Sequence, residues 1–327
     1  MSRQGEPRER SYENIKAFWE AEALEIGATP EVTIRDFYFR IHELHTLLPL
    51  IPRGASLLDV GCGTGFGTLA LSRRARHAVG VDYSERMLAW ALRLENDPGY
   101  RARISGALSP LWDLPAPAEG SLEFVQADAL SLDLPERPFD VVTAQRLLIN
   151  LPSGRDQLAV LERLRGHVRA DGLLVLSETT LQGYARTDAY RARFGLPPLE
   201  RYWHNLYLDT ERLGEWRTAG WRVEAVLSFD TYMLLSKVAY PAACGQESCA
   251  FLSGANAAAM ELGCLFRSSA AAAEIGVEAL FGRYVERVRH YDRVVGDRIA
   301  RWSERNLSSL GEWNDLGHQH LIIGRPC

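Results

Sequence analysis

Lysine is almost missing from this chain: of 37 basic residues only Lys16 and Lys237 are lysine, and arginine supplies the rest. The basic residues are outnumbered by 42 acidic ones, giving a net charge of −5. Such a chain lacks the broad cationic surface that neutralises a phosphate backbone, which argues against a general nucleic-acid binder. Apolar runs long enough to cross a bilayer are missing as well, so no membrane span is expected. The opening Met1-Ser2-Arg3-Gln4-Gly5-Glu6 has no apolar core segment, and a cytoplasmic protein without a secretory leader is the expectation. Cysteine is sparse and odd in number: Cys62, Cys244, Cys249, Cys264 and Cys327. No two of them are separated by two residues. That fits reduced thiols better than a disulfide frame and gives no zinc pattern. What is present is ordinary for a folded globular protein, with 46% hydrophobic and 24% charged residues over 327 positions.

Short apolar runs punctuate the chain. Ser56-Leu57-Leu58-Asp59-Val60 enters a glycine cluster, and Ala78-Val79-Gly80-Val81-Asp82 repeats the form with a terminal acid. The segments Leu122 to Asp128, Phe139 to Ala144 and Gly172 to Glu178 continue it, with Trp221 to Leu227 and His320 to Gly324 as sixth and seventh runs. Helical patterns at residues 66–75, 84–95 and 154–169 fall between them. Strands alternating with helices predict an α/β, doubly wound, mostly parallel seven-stranded sheet, Rossmann-like, with helices on both faces. Right-handed crossovers then bring the strand C-terminal ends to one edge, where such sheets bind ligands, so the acids ending the strands are expected to face one cleft. Residues 1–50 read as an N-terminal helical segment, and residues 51–230 with 316–327 as the sheet domain. Residues 231–315 read as a helical insertion packed on the sheet. From Leu280 to Trp302 they keep helical spacing in a long amphipathic stretch that could cap an acceptor, form a homodimer interface, or simply pack. Residues 108–121 read as a loop.

The segment Asp59-Val60-Gly61-Cys62-Gly63-Thr64-Gly65-Phe66-Gly67 is the most informative. Its glycines allow a sharp turn and close backbone approach to a ligand, and the following helix offers free N–H groups. No lysine follows Gly67, so a nucleotide P-loop is excluded. A dinucleotide fingerprint started at Gly61 or Gly63 fails at Phe66 or Thr68, and the frame from Gly65 to Ala70 fits the letters but starts four residues after the first glycine, inside the expected helix. The pattern left is Asp-x-Gly-x-Gly-x-Gly, with Asp82 ending the next strand where an acid can accept both hydroxyls of a ribose.

This spacing resembles the S-adenosylmethionine fingerprint of class I methyltransferases. Val81-Asp82-Tyr83-Ser84-Glu85-Arg86-Met87 resembles the family's second motif, which implies Asp82 on the ribose and Tyr83 and Met87 beside the adenine. Gln126-Ala127-Asp128-Ala129 resembles the third, which implies Asp128 near the adenine amino group with Ala129 next to it. The stretch from Phe139 to Gln145 and Arg146 resembles the fourth, beside the transferred methyl, and Val168 to Val175 the passage into the fifth strand. By this likeness the cofactor set is Asp59, Gly61, Cys62, Gly63, Gly65, Asp82, Tyr83, Met87, Asp128, Ala129 and Gln145, with S-adenosyl-L-methionine as cofactor and S-adenosyl-L-homocysteine as product. A narrower likeness runs through Thr33-Ile34-Arg35-Asp36, Gln145 to Leu151 and Tyr202 to Tyr207. It points to bacterial methyltransferases of surface-polysaccharide and natural-product pathways, and implies that Arg35, Gln145 and Arg146 line the cofactor and acceptor cleft.

Methyl transfer needs an aligned acceptor and excluded water, with a base only where the acceptor must lose a proton. His204, among Trp203, Asn205 and Tyr207, is the candidate base, and Glu178 at the fifth strand end is a second catalytic candidate. Arg146, Asn150, Asn205, Tyr207 and Trp19 are candidate acceptor contacts; packing or helix capping is the competing reading for each. No acid cluster beside the fourth strand supports a magnesium-dependent mechanism, so no metal is expected. Gln145-Arg146-Leu147-Leu148 stands where nucleic-acid methyltransferases often carry Asn/Asp-Pro-Pro-aromatic, which favours a small-molecule acceptor. A relative that binds the cofactor but catalyses cyclisation or elimination would keep the same loop.

Overall fold

The computed structural model describes residues 9–26, 35–100, 120–134, 138–245, 253–266, 274–311 and 316–327, with residues 102, 272 and 313 besides. The loop expected at 108–121 lies outside them except for its last two residues, as do Thr33, Ile34 and Cys249.

All seven expected strands form: β1 (Ala55–Val60), β2 (Ala75–Asp82), β3 (Ser121–Gln126), β4 (Phe139–Gln145), β5 (Val168–Thr179), β6 (Trp221–Ser228) and β7 (Gln319–Pro326). They make one sheet in the order β3-β2-β1-β4-β5-β7-β6. β1 pairs in parallel with both β2 and β4, so the strand order reverses there and leaves a crevice at the C-terminal ends. β7 is antiparallel to β5 and β6, which makes the sheet mostly rather than wholly parallel. Every residue of β1 is buried, as a central strand covered on both faces requires. β6, at the edge, has only Trp221 buried and otherwise mixes half-buried and exposed positions.

The helices follow the capping chemistry. α1 (Tyr12–Ile26) and α2 (Phe37–Leu47) form the N-terminal segment, and Asp36 caps α2 by accepting from the Phe39 N–H. α3 (Phe66–Leu71) opens from Gly65 in the left-handed region. Ser84 caps α4 (Glu85–Asn96), Ser153 caps α5 (Gly154–Gly166) and Thr180 caps α6 (Leu181–Ala192). α7 is a helical run over 230–244 with a π-helical middle at Leu234–Ala239, and α8 (Gly254–Leu265) follows.

The long amphipathic stretch is two helices, not one. α9 (Val277–Tyr291) and α10 (Arg293–Leu310) meet at Asp292, whose backbone is extended (φ −150°, ψ 104°) and whose side chain caps α10 through the Val295 N–H. Leu280, Phe281, Tyr284 and Val288 on α9 and Ile299 and Trp302 on α10 are buried between the pair and its neighbours. A continuous helical spacing in sequence thus becomes a hairpin, because one Asp with an extended backbone stops the first helix and caps the second. One core runs from α2 through one sheet face (Leu57, Val141, Val175, Leu321) into α7–α10. A second fills the other face around Leu58, Val142, Leu176, Leu161 and Trp221.

Candidate functional site

The turn after β1 is built for close backbone approach. Gly61, Gly63 and Gly65 have φ of 72°, 56° and 77°, where side chains are strained. A Cβ on Gly65 would lie 2.6 Å from the Phe124 ring and one on Gly61 3.0 Å from Leu147. The N–H groups of Gly61 and Cys62 both donate to the Val81 carbonyl at 2.8 and 2.9 Å, tying the loop to β2. Asp82, ending β2, closes the arrangement: Oδ2 accepts from the Gly63 N–H at 2.8 Å and Oδ1 from the Ser84 N–H at 2.9 Å. Burial pushes this carboxyl up to about 6, against the pull of the two N–H donors.

Around this turn lies a cleft lined by Trp19, Val60, Gly61, Gly63, Asp82, Tyr83, Met87, Ala127, Ala129, Gln145, Arg146, Leu147 and Asn150. A glycine cradle, an acid at the second strand end, and an apolar slot of Met87, Ala127 and Ala129 fit the methionyl, ribose and adenine parts of S-adenosylmethionine. Asp128 stands just behind the slot. Its Oδ1 accepts from the Leu130 N–H at 2.9 Å, and its Oδ2 is taken by the Tyr12 hydroxyl of α1. Burial and the Asp128 carboxylate both raise the Tyr12 pKa, so the phenol stays protonated and donating. Tyr12 also meets the Tyr83 ring at 6.1 Å, and Lys16 sits 5.4 Å from the Tyr83 ring centre. One α1 turn further, Trp19 Nε1 donates to Asn150 Oδ1 at 3.1 Å, and Asn150 Nδ2 donates to the Arg146 carbonyl at 2.6 Å.

Of the four strand-end acids, only Asp82 is part of the cleft wall; the expectation that all face it is corrected by the side-chain geometry. Asp59 is 2% exposed and saturated by Thr68 Oγ1 (2.6 Å), Thr143 Oγ1 (2.8 Å) and Gln145 Nε2 (3.0 Å). It underpins the wall through Gln145. Glu178 is fully buried and accepts from the backbone N–H groups of Leu147 (2.9 Å), Leu148 (2.8 Å) and Ile149 (3.3 Å). Burial pushes it up to about 8 while these donors and Arg146 pull it down. Its work in this geometry is to hold the turn after β4.

His204 also stands outside the cleft wall. Its ring is stacked on Phe18 with centroids 4.2 Å apart, with Trp19, Trp203 and Tyr202 within 5.6, 5.6 and 5.7 Å. Burial and nearby Arg10 push its pKa down to about 4, so the imidazole is neutral at physiological pH. Tyr207 is buried against Tyr184 and its hydroxyl accepts from the Tyr202 N–H. Asn205 is half-buried in the same loop, Arg35 is exposed at the start of α2, and neither lines the cleft. Cys62 is buried in the loop, and burial raises its thiol well above the usual value. Among the described residues no group of three or more His, Cys, Asp or Glu is placed to hold a metal ion.

Sequence reasoning missed Arg40 and Glu43. Both are buried on α2, at 5% and 0% exposure. Burial would raise the Glu43 pKa, but Arg146 and Arg40 outweigh it and hold the carboxyl below its ordinary value. The available signal was two opposite charges three residues apart inside an apolar helical stripe, a pattern that buries only when paired.

Part of the chain matches known proteins. Residues 58–176 match the family described as "Methyltransferase domain". A demethylmenaquinone methyltransferase of Staphylococcus saprophyticus is 30% identical over 40% of this chain and 47% of that protein. A ubiquinone biosynthesis O-methyltransferase of Pseudomonas entomophila is 28% identical over 56% of this chain and 71% of that protein. The chain thus spans about half the length of the first of these relatives. Among solved structures, the DhpI–SAH complex covers 67% of this chain and 92% of its own, at 20% identity and a TM-score of 0.44. No helix among the described residues is long and apolar enough to cross a membrane.

Proposed function

We propose that this chain, whose residues 58–176 form a class I S-adenosylmethionine-dependent methyltransferase domain, transfers a methyl group to an oxygen or nitrogen of a small metabolite. The observation that carries the reading is the stapled glycine turn, with the Asp82 carboxylate held by the Gly63 amide at the switch point of the sheet. The demethylmenaquinone and ubiquinone-biosynthesis methyltransferases among the relatives support a small-molecule acceptor. The likeness in the segments around Arg35, Gln145 and Tyr202 supports a natural-product or glycan pathway.

When bound, S-adenosylmethionine supplies an electrophilic methyl on a sulfonium, open to in-line displacement. The chain's own residues do the rest. Asp82 would accept the ribose hydroxyls, and Met87, Ala127 and Ala129 would wall the adenine, whose amino group would share Asp128 with the Tyr12 hydroxyl. Arg146, Leu147 and Asn150 follow β4 and form the wall on which an acceptor is aligned, while Trp19 closes the cleft from α1. The titratable side chains of the described cleft wall are Asp82, Tyr83 and Arg146, so no imidazole is presented to the acceptor. An acceptor that is nucleophilic without a protein base suits this wall.

Calorimetric titration with S-adenosylmethionine and S-adenosylhomocysteine, with NAD as control, tests the reading. Saturable binding of the adenosyl ligands alone is expected, followed by a mass gain of one methyl on an accepted substrate. Asp82→Ala should lose at least tenfold in affinity while staying folded; binding of NAD instead, or an unchanged affinity in folded Asp82→Ala, would overturn the assignment.

A further inference from the structure

Two residues that line the cleft wall, Gln145 and Arg146, are not held by the 58–176 domain alone. Their side chains reach across to α2, which precedes that domain. Arg40 Nη1 donates to Gln145 Oε1 and to Glu43 Oε2, each at 2.5 Å. Arg146 Nη1 donates to Glu43 Oε1 at 2.5 Å, and Ser177 Oγ donates to the same oxygen at 2.5 Å. These contacts fix orientation as well as distance. With its carbonyl oxygen on Arg40, the Gln145 amide must turn its NH2 toward Asp59, where it donates at 3.0 Å. Arg146 is the only non-glycine among the described residues with a positive φ, at 56°. A conformation of that kind persists only where its surroundings over-determine it. Here Glu43 holds the side chain, Ser177 the backbone N–H at 2.8 Å, and Asn150 the carbonyl.

We infer that Arg40 and Glu43 of α2 are positioning residues of the cofactor cleft: Arg40 sets the Gln145 amide, and Glu43 keeps Arg146 in its left-handed conformation. The inference rests on the cleft being the cofactor site. A purely structural role explains the pair poorly. Ionised groups buried in an apolar helix face cost desolvation, and apolar residues of similar volume pack such a face as well or better. A second ion pair, between the N-cap of α2 and α7, gives the contrast. Asp36 meets Lys237 and Tyr232 and caps α2, yet none of these residues touches the cleft wall.

The test uses the full chain and two readouts. Amide hydrogen exchange of residues 146–149 is followed in the ligand-free protein, and S-adenosylhomocysteine affinity is measured by calorimetry. Glu43→Gln should speed exchange at 146–149 and weaken the affinity at least tenfold, and Glu43→Asp, which keeps the charge, should recover part of both. Asp36→Asn should lower Tm while leaving both readouts at the wild-type level. Wild-type exchange and affinity in folded Glu43→Gln, or equal losses in Asp36→Asn, would overturn the positioning role. If Glu43→Gln does not fold, Arg40→Met, which leaves Glu43 paired with Arg146, tests the Gln145 limb: the affinity should fall at least tenfold with exchange at 146–149 unchanged, and wild-type affinity in that folded variant would overturn the positioning role. Failure of the wild-type protein to bind S-adenosylhomocysteine would overturn the cofactor reading instead, and the exchange data would still decide the positioning role.

Discussion

At the scale of single residues, the cleft separates acids that face a ligand from acids that face the protein. Asp82 is pushed up to about 6 by burial, and its role requires an ionised acceptor for ribose hydroxyls. Protonation removes that acceptor, so affinity for S-adenosylhomocysteine should rise with pH up to about 6 and level off above it. Below that point the change should approach about tenfold per pH unit, since only the ionised fraction binds. Asp82→Asn should flatten the profile; an unchanged profile in that variant would place the titration elsewhere. The same raised pKa means the folded chain holds a proton that the unfolded chain releases. Asp82's contribution to stability is therefore present below its unfolded value of 3.8 and lost as pH rises through about 6. Glu178 belongs to the other class. Glu178→Ala leaves three backbone N–H groups without their acceptor, which should cost about 3 kcal/mol in urea denaturation at roughly 1 kcal/mol or more per group. Glu178→Gln keeps one carbonyl acceptor and should cost less than half of that. A base in the reaction would show the opposite pattern, with turnover abolished in Glu178→Gln and stability unchanged. The place of Asp82 on the cleft wall was legible, because glycine spacing and a strand-end acid fix a backbone geometry. Sequence alone could not place Asp59 or Glu178, because which way a strand-end side chain points depends on the partners that neighbouring elements bring: Thr68 and Thr143 for one, the 147–149 turn for the other.

At the scale of elements, the strands were legible because each buried strand is a short apolar run, and the sheet order follows from parallel crossovers. The work of α1 was not, since its two cleft contacts, Tyr12 with Asp128 and Trp19 with Asn150, join residues over a hundred positions apart. α1 reaches both ends of the cleft, with Tyr12 on Asp128 at one and Trp19 on Asn150 at the other. Phe18, between them in the chain, stacks on His204. The aromatic loop around the candidate base His204 thus offers this helix a seat. Tyr12 occupies the acid that the family likeness gives to the adenine, so the hydroxyl and the adenine amino group compete for Asp128. Tyr12→Phe should therefore leave S-adenosylhomocysteine affinity unchanged or improve it a few-fold, while proteolytic cleavage within residues 9–26 becomes faster. A tenfold loss of affinity would show instead that Tyr12 serves the bound state and not only the closed helix.

At the scale of the whole molecule, the order of elements in the chain hides how they share a core. Residues 231–315 separate β6 from β7 in sequence, yet Phe281, Tyr284, Ile299 and Trp302 belong to the same buried cluster as Leu44 of α2 and Val175 and Leu321 of the sheet. Helix α2 is thus pressed from one side by the insertion while its charged residues reach the cleft from the other. The insertion packs where it does because β7 must return to the sheet between β5 and β6, which draws α7–α10 back over one face. A cap that opened as a rigid unit would have to leave this cluster and expose apolar surface of α2. Cooperative unfolding is the consequence: far-UV circular dichroism, which reports the helices, and pulsed amide hydrogen exchange of the central strands β1 and β4, which reports the sheet, should give one midpoint in urea. Phe281→Ala, at 1% exposure, should lower stability by about 3–5 kcal/mol and shift both signals together. Two separated transitions in that variant, with exchange of β1 and β4 unmoved, would make the insertion an independent unit and would free it to act as a moving cap.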